Sequence, residues 1–263
     1  MDLRPSLRRR TALVTGAASG IGRAFATALA ARGDRLVLVD VDEAALAVVA
    51  LDLGGDHDVQ VVDLASATAI ERLRDNLAAH EPCIDLLIHC AGILGAGAFA
   101  DQPVADFARV LQVNLLGTVH VTHACLPQLT RARGHVVALA STASLHGWPL
   151  LGAYSAAKGA VENWAEAVRP ELRRRGVGLT TVFPLLVDTP MLARAGTPPI
   201  LRGRRVSADD VVTRALRAVD RGRARLFVPA LARLVAITHG VAPPLLDWWG
   251  ARRGFTSTTR SNA

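Results

Sequence analysis

A single tyrosine and a single lysine, Tyr154 and Lys158, stand four residues apart in this 263-residue chain. Of its 30 lysines and arginines, the remaining 29 are arginine. Lysine is a compact point charge on a flexible stem, and arginine a broad planar fork. One lysine in an arginine-rich chain therefore marks a position where arginine would not serve. On a helix, residues i and i+4 share a face with Cβ atoms about 5–6 Å apart. A cation there favours tyrosinate and lowers a phenol pKa that starts near 10. Such a phenol is a usable general acid or base. In isolation the pair would read as an ordinary helix-surface contact, so its meaning depends on the elements around it.

A second cluster of chemistry lies near the N-terminus, in Thr15-Gly16-Ala17-Ala18-Ser19-Gly20-Ile21-Gly22. The turn follows an apolar run and precedes a helical pattern. Its glycines allow a tight turn and a close approach of pyrophosphate, and the helix N-terminus supplies free N–H groups. The spacing is Gly-x-x-x-Gly-x-Gly rather than the commoner Gly-x-Gly-x-x-Gly. Asp40 follows about 20 residues later, at the end of the next apolar run. A carboxylate there can accept both adenosine ribose hydroxyls and repels a 2′-phosphate. No arginine stands beside it, so NAD is expected over NADP.

The remaining candidates also fall where apolar runs end: Asp63-Leu64, His89-Cys90-Ala91-Gly92 and Ala140-Ser141. The runs are Thr11–Val14, Arg35–Val39, Val59–Val62, Leu86–His89, His135–Ala140, Leu179–Phe183 and Leu226–Val228. Helical patterns separate them at Ile21–Ala31, Glu43–Leu51, Thr68–His80, Val104–Thr130, Ala153–Arg175 and Ala208–Arg221. Short, unalternated strands separated by helices predict a parallel sheet covered on both faces. The fold class is α/β: a doubly wound Rossmann-type sheet of about seven strands, whose carboxyl ends bind ligands. One domain spanning residues 1–263 is expected.

Composition agrees with a globular protein, 51% hydrophobic and 20% charged. The net charge of +7 raises nucleic acid as a partner. The arginines gather instead at ends and turns, without interleaved aromatics, so a solvated basic surface is expected and no nucleic acid. Cys83, Cys90 and Cys125 have no metal-ligand spacing and are odd in number, which indicates a reducing, cytoplasmic setting and no metal. The N-terminus has no apolar segment of signal-peptide type.

Together these residues resemble the short-chain dehydrogenase/reductase family from about Thr11 to Val228. The Thr-Gly-x-x-x-Gly-x-Gly turn matches Thr15 to Gly22, and Tyr-x-x-x-Lys matches Tyr154 and Lys158. The family serine matches Ser141, 13 residues before the tyrosine, and its helix asparagine matches Asn114. The element Pro-Gly-x-Val-x-Thr appears as Pro184-Leu185-Leu186-Val187-Asp188-Thr189. Two departures stand out. Cys90 replaces an amide of the usual Asn-Asn-Ala-Gly, and Leu185 replaces a glycine that lies near the nicotinamide.

The resemblance implies hydride transfer between NAD and a substrate carbon. Tyr154 is the implied proton donor or acceptor, and Lys158 lowers its pKa and holds the nicotinamide ribose. Ser141 holds the substrate oxygen, and Asn114 supports a water chain to Lys158. The implied cofactor set is Gly16, Ser19, Gly20, Ile21, Gly22, Asp40, Asp63, Leu64, Cys90, Ala91, Gly92, Tyr154, Lys158, Pro184, Val187 and Thr189. The family also implies a homodimer or homotetramer, here on the helices around Asn163 and Val212. A non-catalytic nucleotide-binding protein on the same fold is the alternative.

Residues 188–206 are expected to cover the substrate, with Met191, Leu192, Ile200 and Leu201 as apolar contacts and Gly196 and Gly203 as hinges. Ser141, Leu145, Trp148 and Tyr154, with Ile93 and Leu94, point to an apolar secondary alcohol or ketone. Arg194, Arg202, Arg204 and Arg205 leave an acidic substrate open. His146 is the histidine expected to border this pocket, along with Leu150. Residues 229–263 form an extension in which Leu231, Leu234, Val235 and Thr238 share a helical face. Pro243-Pro244 should stop that helix, before Leu245, Leu246, Trp248 and Trp249. Docking on the core or a partner subunit is favoured for this segment over peripheral membrane contact.

Overall fold

The computed structural model describes residues 9–194, 203 and 205–254. Seven strands form one parallel sheet in the order β3-β2-β1-β4-β5-β6-β7. They are β1 (Thr11–Thr15), β2 (Arg35–Asp40), β3 (Asp58–Val61), β4 (Leu86–His89), β5 (His135–Leu139), β6 (Gly178–Pro184) and β7 (Arg225–Val228). The order reverses between β1 and β4. Helices leave the two strands in opposite directions there, and a crevice opens at their carboxyl ends.

Alternation along the strands explains why both sheet faces are covered. In β1, Ala12 and Val14 pack with α1 (Gly20–Ala31), α2 (Glu43–Leu53) and α8 (Ala208–Asp220). Leu13 between them faces α3 (Ala67–His80), α5 (Gly117–Ala132) and α6 (Gly152–Arg174). β2 repeats the pattern, with Leu36 and Leu38 on one side and Val37 and Val39 on the other. Each face is thus a continuous apolar layer, which is why these strands read as unbroken hydrophobic runs.

Local chemistry sets the helix starts. Asp42, Ser66 and Ser207 each accept a hydrogen bond from the backbone N–H three residues on, at the heads of α2, α3 and α8. The predicted helix Val104–Thr130 is interrupted. α4 (Val104–Leu111) passes through a π-helical turn, Gln112–Leu116, before α5 begins. Such turns insert a residue without ending the apolar stripe, so periodicity does not reveal them.

After β6 the chain forms α7 (Pro190–Arg194). A bridge pairs Val187 with Val206, and Arg205 meets Asp188 at 2.8 Å. Gly196, Pro198, Pro199, Ile200, Leu201, Arg202 and Arg204, expected in the substrate cover, lie outside the described residues, as does the side chain of Arg194. The extension folds as α9 (Arg233–Val241) and α10 (Pro243–Gly254). Pro243-Pro244 therefore opens a helix as well as closing one. Proline is accommodated in a first turn, where its missing N–H has no intrahelical partner. Among the described residues no helix is long and apolar enough to cross a membrane. Val212 is turned into the core, so the outer face of its helix would have to carry any subunit contact.

Candidate active site

A cleft of about 680 Å³ opens along the carboxyl ends of the strands. Gly16, Ser19, Gly20, Ile21, Gly22, Asp40, Asp63, Leu64, Cys90, Ala91 and Gly92 line one part of it. Ser141, Tyr154, Lys158, Pro184, Val187 and Thr189 line another. All these residues were expected at one site from sequence, and they converge. Their convergence follows from topology, because each lies just beyond a strand or at a helix start facing the switch point.

At the β1–α1 turn, Gly16 has φ +69°, and a Cβ there would come within 2.6 Å of Ala91 N. Only glycine permits this approach of the two loops. Ser19 caps α1 with no side-chain bond back into the helix, so its hydroxyl and the first-turn N–H groups remain available to an anion. The Thr15 hydroxyl joins the loops by donating to Ile88 O at 3.4 Å and accepting from Ala91 N at 3.3 Å.

Asp40 is held by backbone. Its Oδ2 accepts from Ala18 N at 2.9 Å, and its Oδ1 from Val41 N at 2.8 Å and Asp42 N at 3.2 Å. Two carboxylate oxygens have room for more than three donors, so ribose hydroxyls can still be received. Asp42, not Asp40, caps α2. Arg23 is occupied with Asp52 at 2.8 Å. Asp63 accepts from Ala65 N and pairs with Arg109 of α4 at 3.0 Å. Arg109 also lines the cleft and was not anticipated, because its partner lies 46 residues away. These features fit an adenine dinucleotide: a phosphate-accepting turn, a fixed carboxylate and a cleft large enough.

On the opposite side, Ser141 caps the short 3₁₀ turn Thr142–Ser144, and its Oγ accepts from Ala143 N at 3.1 Å. Ser141 and Tyr154 face the same cleft, and the Ser141 hydroxyl acts on the Tyr154 phenol. Burial pushes the Tyr154 phenol above its ordinary pKa, and the Ser141 hydroxyl pulls it back. Lys158, expected to lower the phenol pKa, is not among the groups that shift it here. Lys158 Nζ lies 6.0 Å from the ring centroid and donates to Leu139 O at 2.6 Å. Burial brings the ammonium itself down to about 8, with Cys90 opposing. Burial also raises the Cys90 thiol, which stays protonated.

Asn114 sits in the π-helical turn behind the cleft, fully buried and not on the lining. Its amide accepts from Ile93 N and donates to Ile93 O, both at 2.8 Å. It thereby fastens the loop after β4. Leu185 lies on the lining, at the place where the family glycine would stand.

The substrate end differs in part from expectation. Trp148, Ile93, Leu94, Met191 and Leu192 line the cleft as expected. Leu145 and Leu150 do not. The 3₁₀ turn faces the cleft with Ser141, Thr142 and Ala143, and Leu145 falls beyond it; Leu151 takes the place given to Leu150. Leu151 and Leu192 are buried against Leu94, Trp148, Tyr154 and Leu186. Trp249 of α10 is also on the lining. His146 lies beneath Trp148, with centroids 4.6 Å apart, and does not line the cleft.

The fold and cleft define a nucleotide-binding α/β protein with a hydroxyl pair and a buried amine at its reactive end. A family model for short chain dehydrogenases matches residues 10–199. The probable oxidoreductase EphD of Mycobacterium tuberculosis is 33% identical over 261 residues, covering 95% of this chain and 44% of that protein. The chain thus spans less than half the length of that relative. A short-chain dehydrogenase/reductase from Burkholderia phymatum, solved with NAD, is 28% identical with a TM-score of 0.81, covering 92% of this chain and 97% of that one. A short-chain dehydrogenase from Sphingobium yanoikuyae, solved with NADPH, is 26% identical with a TM-score of 0.78, covering 97% and 98%. The chain belongs to the short-chain dehydrogenase/reductase family of oxidoreductases.

Proposed function

We propose that this protein is an NAD-preferring oxidoreductase that interconverts an apolar secondary alcohol and its ketone, with Tyr154 as general acid and base. The observation that carries this reading is the meeting of Ser141, Tyr154 and a buried lysine on the lining of one cleft whose substrate end is apolar. A bound nicotinamide ring would supply or take up the hydride. In ketone reduction, the Tyr154 hydroxyl gives its proton to the carbonyl oxygen as the carbon gains hydride. Ser141 donates a hydrogen bond to that oxygen and holds it against Tyr154. In alcohol oxidation the proton returns to Tyr154.

A phenolate in this position needs a cation to offset burial, and Lys158 is the cation one helical turn away. Its flexible stem allows Nζ to leave Leu139 O for a ribose hydroxyl. Gly16, Ser19, Gly20, Ile21 and Gly22 would hold the pyrophosphate. Asp40 would hold the adenosine ribose, and Asp63 and Leu64 the adenine. Cys90, Ala91, Gly92, Pro184, Val187 and Thr189 would flank the nicotinamide half. Asp40 favours NAD through repulsion of a 2′-phosphate.

The test is NADH oxidation by purified protein with a panel of ketones from 2-butanone to bicyclic ketones. The reading expects turnover that improves with apolar bulk. Absence of turnover across the panel, with NADH bound, would support the non-catalytic alternative. For assembly we favour a homo-oligomer. Leu234, Ile237, Val241 and Leu245 are each more than half exposed on α9 and α10, which supports cover by a second copy of the chain. Light scattering should give a dimer or tetramer; a monomer that sediments with anionic vesicles would favour peripheral membrane contact in its place.

A further inference from the structure

Helix α10 is anchored over the substrate end of the cleft at several points. Trp249 meets Trp148 edge to face, with centroids 5.2 Å apart. The next residue is glycine: a Cβ at Gly250 would lie 3.2 Å from Pro149 Cδ and 3.4 Å from Trp148 Cε3, so the helix backbone presses on that turn. His146, below Trp148, meets His239 of α9 at 3.3 Å and Asp247 of α10 at 3.7 Å. The two tryptophans of α10 are used differently. Trp249 lines the cleft and is 38% exposed. Trp248 is 57% exposed, is absent from the lining, and carries Arg252 over its ring at 4.3 Å.

From this arrangement we propose that Trp249 is a specificity-determining residue, forming with Trp148 an aromatic end wall that grips the part of an apolar substrate farthest from the reacting carbon. The proposal rests on the oxidoreductase reading for the location of the substrate. Its physical basis is direct. An edge-to-face pair leaves a ring face and an edge for a third apolar group, and large aromatic surfaces dominate apolar contact energies. Ser141 and Tyr154 line the same cleft as Trp249, and Tyr154 and Trp148 pack on one apolar cluster built on Leu151 and Leu192. A substrate of a few carbons satisfies the hydroxyls without reaching Trp249. A longer or multi-ring ketone reaches both. Discrimination by size therefore resides in α10, outside the residues 10–199 that match the family model.

The experiment compares parent, Trp249→Ala and Trp248→Ala, each saturated with NAD, which has no hydride to give a ketone, by titration calorimetry with 2-decalone. A tenfold loss of affinity, equivalent to about 1.4 kcal/mol, is expected for Trp249→Ala. Trp248→Ala should match the parent, and NADH affinity should be the same in all three. Steady-state rates should place the loss in KM for 2-decalone, with KM for 2-butanone unchanged. Equal 2-decalone affinity in parent and Trp249→Ala overturns the proposal, as does an equal loss in Trp248→Ala or failure of the parent to bind the ketone. Binding without turnover in the parent would remove the oxidoreductase reading and leave the wall standing. Turnover with an unchanged KM in Trp249→Ala would do the reverse.

Discussion

The Lys158 ammonium is a charge the fold carries at a cost. Its pKa lies near 8 in the folded chain and near 10.4 when unfolded. Below pH 8 both states are protonated and the buried charge destabilises the fold by roughly 3 kcal/mol. Between 8 and 10.4 the unfolded chain binds more protons, so this penalty is relieved as pH rises. Lys158→Met should therefore be more stable than the parent at pH 7, by about 2 kcal/mol once the lost bond to Leu139 O is subtracted. Urea unfolding should find that gap closing toward pH 10.5; a gap independent of pH would deny the buried charge. A residue kept at such a cost is consistent with chemistry and not with stability. Asp40 invites a different measurement. NADH should bind at least tenfold more tightly than NADPH, a difference needing only about 1.4 kcal/mol. Asp40→Ala should shrink that ratio. A ratio unchanged by the substitution would assign cofactor choice to another residue, with Arg109, the arginine on the cleft lining, as the first to test.

At the level of elements, the π-helical turn Gln112–Leu116 explains how a helix residue can serve a loop. It places the buried Asn114 amide against the Ile93 backbone, satisfying one part-buried donor and one acceptor. Asn114→Ala leaves both without that partner, at about 1–2 kcal/mol each for groups that are only part-buried. A loss of roughly 2–4 kcal/mol in urea unfolding is expected; a change below about 0.5 kcal/mol would mean the loop is held elsewhere. The strands, the helices and the convergence of glycines, Asp40, Ser141, Tyr154 and Lys158 were legible, because two-faced burial leaves unbroken apolar runs and strand ends gather at one edge. The π turn was not, since it preserves the apolar stripe. Nor was the place of Trp249. Periodicity gives a helix an apolar face without naming what that face meets, and the contact between Trp148 and Trp249 spans about a hundred residues of sequence. Leu145 was misplaced for a related reason: neighbours on a 3₁₀ turn point in different directions.

For the molecule as a whole, two neutral histidines, His89 buried and His135 half-buried, forecast acid lability. Burial holds His89 near 3 and His135 near 4, against about 6.5 unfolded. Each stays neutral in the fold while the unfolded chain takes up a proton, so their contribution is lost as pH falls below 6.5. Two such groups give a slope approaching 2.7 kcal/mol per pH unit between about 6 and 5. His135→Gln should reduce that slope by about half; an unchanged slope would place the titration elsewhere. The central claim concerns the cleft, where the proton that accompanies hydride transfer is assigned to a phenol that burial alone would silence. The decisive measurement is Tyr154→Phe, assayed for NADH-dependent ketone reduction and, by fluorescence titration, for NADH affinity. Loss of turnover by 10²–10⁴-fold with NADH affinity within about twofold of the parent is the predicted result. Retention of more than a tenth of the parent rate would contradict the account, because it would leave the proton with some group other than Tyr154.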